Sequence, residues 1–82
     1  MDKTLGYLVE TISNYGDENK ISRAILTKLV KNQYRSEEAL VRDLDEEEIE
    51  FLNKILPDEI NYAMDEKDFT RVNQLNEVYE LL

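Results

Sequence analysis

The chain has 82 residues, of which 41% are hydrophobic and 35% charged, with 19 acids against 10 bases and neither cysteine nor histidine. The missing side chains exclude disulfide staples, thiolate nucleophiles and histidine-based triads or metal pairs, and the net charge of −9 opposes binding to nucleic acid or to an acidic membrane surface. Only two glycines and one proline interrupt the sequence, which suits helices joined by short turns rather than the many tight turns of an all-β fold. A chain this short buries only about 60–65% of the surface that its unfolded form exposes, so one domain over 1–82 is the ceiling. The fold expected is all-α, a small bundle of four to five helices.

Leu5, Leu8, Val9 and Ile12 recur at spacings of three and four, predicting a first helix over 3–15 that Gly16 can end. Asp17 is available as the cap of a second helix. In that helix Ile21, Ile25, Leu26, Leu29 and Val30 occupy one half of the wheel, and Lys20, Arg23, Lys28, Lys31 and Arg35 gather on the other. Ser36 can cap a short third helix, EEALVRDL, with Ala39, Leu40 and Leu44 facing inward.

Asp45 and Glu48 then stand at the spacing of a capping box, with Leu44 and Ile49 placed to form the hydrophobic staple around it. The acids at 45–48 therefore belong to a helix N-terminus, where the helix dipole favours each by a few tenths to about 1 kcal/mol before their mutual repulsion. Ile49, Leu52, Leu56, Ile60, Ala63 and Met64 keep one helical phase on both sides of Pro57. A break would free the second half to change phase, so one long helix kinked at the proline is preferred to two. Asp65 or Asp68 can start a last helix with Phe69, Val72, Leu75, Val78, Tyr79 and Leu82 on its apolar stripe.

Charge is distributed unevenly. From Lys20 to Arg35 there are five bases and no acid, whereas from Asp43 to Glu66 there are ten acids and one base, Lys54. These segments can neutralise each other within one molecule or across a homodimer. A calcium loop in DLDEEEIEFLNK would need alternating oxygen ligands and a glycine at its sharp turn; helix capping accounts for the same carboxylates. No phosphate-cradling glycine loop and no nucleophile elbow occurs, and Ser13, Ser22 and Ser36 have no histidine to activate them. No catalytic residue, metal, cofactor or small-molecule substrate is expected. The basic second helix is the one nucleic-acid candidate, with Tyr34 for stacking, but the acidic remainder would repel phosphate. Tyr7, Tyr15, Tyr62 and Tyr79 are read as the rim of the core. No basic region followed by a long apolar run opens the chain and nowhere do about 18 apolar residues run together, so neither an export signal nor a membrane span is expected.

The residues best placed to meet an unknown protein partner are Glu46, Glu47, Glu50, Asp58 and Glu59, whose carboxylates would speed docking on a basic surface and give it specificity. Self-association is the other expectation, because a small core, the apolar C-terminal YELL and opposite-charge segments would all benefit from a second copy.

Three stretches, MDKTLGYLVETISN at the start, VRDLDEEEIEFLNKIL in the middle and LNEVYELL at the end, resemble a small sporulation-specific protein family of Bacillus. Its members are expressed in the forespore under sigma-G and are sometimes filed with small acid-soluble spore proteins. The resemblance implies a spore-forming bacterium, late expression and a cytoplasmic location in the forespore or spore interior. It implies no reaction, and it brings no functional residues. The DNA-coating members of the acid-soluble group differ from this acidic, core-forming chain, and DEINYA at 58–63 only loosely resembles their germination-protease site. The function expected is that of a non-enzymatic sporulation protein acting through protein contacts or as a spore constituent, with an acidic regulator of a nucleic-acid-binding protein as the alternative.

Overall fold

The computed structural model describes residues 3–15 and 19–82, and within them it is all-α, with five helices and no strand. α1 spans Lys3–Ser13, and its three-and-four spacing puts Leu5, Leu8 and Ile12 fully inside, together with Thr11. The backbone N–H groups of Asn14 and Tyr15 donate to the Thr11 and Ile12 carbonyls and close its last turn. Gly16 and Asp17, expected at the helix end and the next cap, lie outside the described residues. The cap of α2, Lys20–Asn32, is Asn19: its Oδ1 accepts from the backbone N–H groups of Ile21 at 2.9 Å and Ser22 at 3.2 Å. α2 ends at Gln33, which turns the chain with a left-handed φ of 47°.

Ser36 caps α3, Glu37–Arg42, as its sequence suggests, its hydroxyl accepting from the Ala39 N–H at 3.2 Å. Leu40 and Leu44 turn inward. α4 runs without interruption over Glu46–Asp65, with Pro57 inside it, so the proline does not divide it into two helices. The constant phase explains why: Leu52 and Leu56 before the proline and Ala63 after it are all buried, and that burial offsets the roughly 3 kcal/mol a helix-interior proline costs. α4 stops in a Schellman motif, in which the Asp68 and Lys67 N–H groups donate to the Ala63 and Met64 carbonyls and Lys67 takes a φ of 59°. Asp68 then caps α5, Phe69–Leu81, through the Arg71 N–H.

α5 packs against α4, α1 and α3, and α2 packs against α1 and α4. The helices α1, α2, α4 and α5 thus close a ring, with α3 laid on α5. Leu5, Leu8, Ile12, Ile25, Leu29, Leu40, Leu52, Leu56, Leu75 and Val78 fill its centre with no exposed surface. The radius of gyration is 11.6 Å, close to the roughly 12 Å of a well-packed chain of this length. The apolar arcs are narrower than the spacing suggests. Val30 is 64% exposed and Phe69 59%, and Tyr62, Met64 and Tyr79 also face outward, because a ring helix is covered by neighbours on one side only.

Candidate functional site

The acidic start of α4 is more than a solvated helix end. Asp45 and Glu48 form the complete capping box: Asp45 Oδ1 accepts from the Glu48 N–H at 2.8 Å, and Glu48 Oε1 accepts from the Asp45 N–H at 2.9 Å. That reach-back folds the Glu48 side chain under the corner, where it is buried, and Lys28 of α2 donates to the same Oε1. Lys28 also donates to the Asp43 carbonyl at 2.8 Å. Its ammonium is held above the ordinary lysine pKa by the hydrogen bond to Glu48, which outweighs burial acting in the opposite sense, with the Glu48 and Asp45 charges adding to it. Next to it the Tyr34 hydroxyl donates to Asp43 Oδ2 at 2.8 Å and accepts from Asn32 Nδ2 at 2.9 Å. Burial in the first place pushes that phenol up.

By spacing Lys28 belongs to the outer basic face and Glu48 to the helix-start acids; the structure joins them as the pin between α2 and α4. A signal for this was present, since Glu48 shares the inward phase of Leu52, Ile55 and Leu56.

Two further polar contacts span the ring. At the end of α1, Tyr15 packs edge-on against Phe51, ring centres 5.6 Å apart, and donates its hydroxyl to Glu59 Oε1 at 2.9 Å. Burial first, then the hydrogen bond and charge of Glu59 and the charge of Asp58, push this phenol up to about 12. From α5, Arg71 reaches Glu10 at 2.9 Å and Thr11 Oγ1 at 3.5 Å, and lies over the Tyr7 ring at 5.5 Å. Nothing in the sequence marks Arg71, because a lone arginine in a polar stretch carries no spacing signal.

The five carboxylates singled out for a partner do not form one patch. Glu47, Glu50 and Asp58 are exposed and share a face of α4, Glu46 is exposed to one side of it, and Glu59 is half-buried and engaged by Tyr15. On α2 the neutralisation expected within the molecule reaches only Lys28: among the described residues Lys20, Arg23 and Lys31 are exposed and carry no ion pair. Between the two helices lies a shallow groove of about 250 Å³, lined by Ile21, Glu47, Glu50, Phe51 and Lys54. No cluster of three or more metal-ligating side chains occurs among the described residues, and none of the described helices is long and apolar enough to cross a membrane.

A family model described as "CsgA: Minor curli fiber component A" matches residues 1–82. The chain is 50% identical over 82 residues, all of its own length and 99% of its relative's, to the "Sigma-G-dependent sporulation-specific SASP protein" of Bacillus subtilis (strain 168). No solved structure matches. With likeness that runs from end to end, and with the resemblance seen in its three quoted stretches borne out, the chain belongs to the family of this sigma-G-dependent sporulation-specific protein.

Proposed function

We propose that the protein is a non-enzymatic component of the forespore or spore interior that acts through protein contacts made by its exposed charged faces. The observation that carries this reading is where its perturbed ionisable groups are used. Lys28, Tyr34 and Tyr15 are each committed to a carboxylate that holds one helix to another segment, Glu48, Asp43 and Glu59 respectively. Groups with altered pKa values often mark catalytic pockets, but here each serves as a pin in the scaffold. What is left to meet other molecules is an acidic surface interrupted by the basic face of α2. The sporulation relative supports the setting and the time of action. A fibre of stacked strands needs extended segments, whereas the described residues form helices, which favours contacts between folded surfaces over the fibre that the family description names.

The test is a tagged capture from late-sporulating cells, with and without nuclease, read by mass spectrometry. The reading expects a stoichiometric protein, another or the untagged chain itself, that survives nuclease. Capture that depends on nucleic acid, or saturable turnover of a small molecule by the purified chain, would overturn it. A second reading, an acidic regulator occupying the basic surface of a nucleic-acid-binding protein, is favoured by the exposure of Glu46, Glu47 and Glu50. Reversing those three charges would abolish capture of such a partner.

A further inference from the structure

The exposed faces of α2 and α4 are written in the same spacing with opposite charge. Lys20, Arg23, Thr27 and Lys31 follow one another at steps of three, four and four, and so do Glu47, Glu50, Lys54 and Asp58. All eight are exposed. On a helix these steps confine each set to an arc of about 80° and a length of about 16 Å. Set side by side in that register, Lys20 meets Glu47, Arg23 meets Glu50 and Lys31 meets Asp58. The one base of the acidic set, Lys54, meets the one uncharged member of the basic set, Thr27.

This register requires the two helices to run parallel, and within one molecule they do not. Lys28 meets the Asp43 carbonyl and Glu48, before and at the start of α4, while Ile21, two turns earlier on α2, borders a groove that runs on from Glu47 through Glu50 and Phe51 to Lys54, so α4 runs back along α2 in the antiparallel sense. The stripes therefore cannot be satisfied internally. A two-fold axis perpendicular to both helices reverses the direction of α4 in a second copy, so that it runs parallel to α2 of the first. The same axis brings α2 of the second copy onto α4 of the first. The contact is then made twice and the assembly closes.

We propose that the partner of the α2 and α4 faces is a second copy of this chain, in a two-fold dimer that pairs Lys20 with Glu47, Arg23 with Glu50 and Lys31 with Asp58 across the interface. The dimer rests on the protein-contact reading above and names its partner. Its ion pairs are at the surface and screened by salt, so the association is of modest strength and weakens as ionic strength rises.

Sedimentation equilibrium of the purified full-length chain, up to about 1 mM and in about 20 mM salt where screening is weak, is the direct test. Dimer is expected, shifting toward monomer in about 0.5 M salt. One variant carries Arg23→Glu with Lys31→Glu, and another Glu50→Arg with Asp58→Lys. Each removes four contacts from the dimer and is expected to weaken it about a hundredfold. An equimolar mixture of the two is expected to restore association, because every reversed charge then faces a reversed partner. Circular dichroism of each variant verifies folding, and restored association in the mixture is itself evidence that both fold. A wild-type chain that stays monomeric, variants that still dimerise alone, or a mixture of folded variants that stays monomeric would each overturn the dimer. Should the wild-type chain be monomeric and yet capture a different protein from cells, the dimer falls while the protein-contact reading stands.

Discussion

Two cations fasten different seams of the helical ring, and they do it in different ways. Lys28 joins α2 to α4 through a glutamate whose side chain is 3% exposed and already engaged as half of a capping box. Arg71 joins α5 to α1 through Glu10, whose side chain is 65% exposed, and spreads its contacts over Thr11, Asp68 and the Tyr7 ring. The first seam concentrates its interaction in one carboxylate that cannot be replaced by water. The second distributes it over several weak contacts. A pinned seam is broken by a single change and is insensitive to salt, whereas a distributed one loses strength in small steps and responds to ionic strength.

The largest effect is therefore expected for Glu48→Ala. It removes the reach-back to the Asp45 N–H and leaves Lys28 without its charged partner, for a loss of about 3 kcal/mol in urea unfolding. A loss below about 1 kcal/mol would show that Lys28 simply turns to solvent and that the pin is not one. Arg71→Ala comes next, at about 1.5 kcal/mol, from the ring contact, the Thr11 hydrogen bond and the stem packing together. If it matched Glu48→Ala, the contrast between the seams would disappear.

Tyr15→Phe, at about 1 kcal/mol near neutrality, tests the link from α1 to α4 and has a pH signature. The Tyr15 hydroxyl titrates at 10.0 when exposed and at about 12 when folded, so between those values the folded chain binds more protons than the unfolded one. Stability then falls as pH rises through that window. Lys28 and Tyr34, also raised, act in the same alkaline direction. The specific expectation is a shallower decline from pH 10 to 12 in Tyr15→Phe than in the parent, followed by circular dichroism. Equal slopes would mean that the Glu59 hydrogen bond is not maintained in solution. The smallest effect, about 0.3 kcal/mol and lost in high salt, belongs to Glu10→Ala.

Much of this architecture is visible in the sequence wherever spacing alone decides. The three-and-four rhythm marks the helices, Ser36 and the Asp45/Glu48 pair mark two starts, and the unbroken phase across Pro57 marks one helix rather than two. Spacing fails where the outcome depends on which neighbour covers which arc. Val30 and Phe69 sit on apolar stripes yet face outward, because the ring leaves those arcs uncovered. Glu48 is the opposite case: its spacing points inward with Leu52 and Leu56, but its charge reads as outward until Lys28 is known to lie against it. Among the acids proposed to meet a partner, Glu47, Glu50 and Asp58 share a face as their spacing implies, while the diversion of Glu59 to Tyr15 depends on a helix far away in sequence.

Pro57 also bears on the order in which the chain assembles. With no N–H at Pro57, the carbonyl of the exposed Asn53 receives no helical bond from it, and Leu56 is biased toward extended backbone in any isolated fragment. The first half of α4, with its capping box, can form from local signals alone; the second half cannot propagate through the proline unaided and must wait for something to pack against. That something is α5, its most extensive neighbour, which is tied to it by the Schellman turn and the Asp68 cap. The chain from Ile60 to Leu82 is therefore expected to become helical as one hairpin after the start of α4, and native-state hydrogen exchange is expected to show it opening as one unit, distinct from the amides of Glu48 to Leu52.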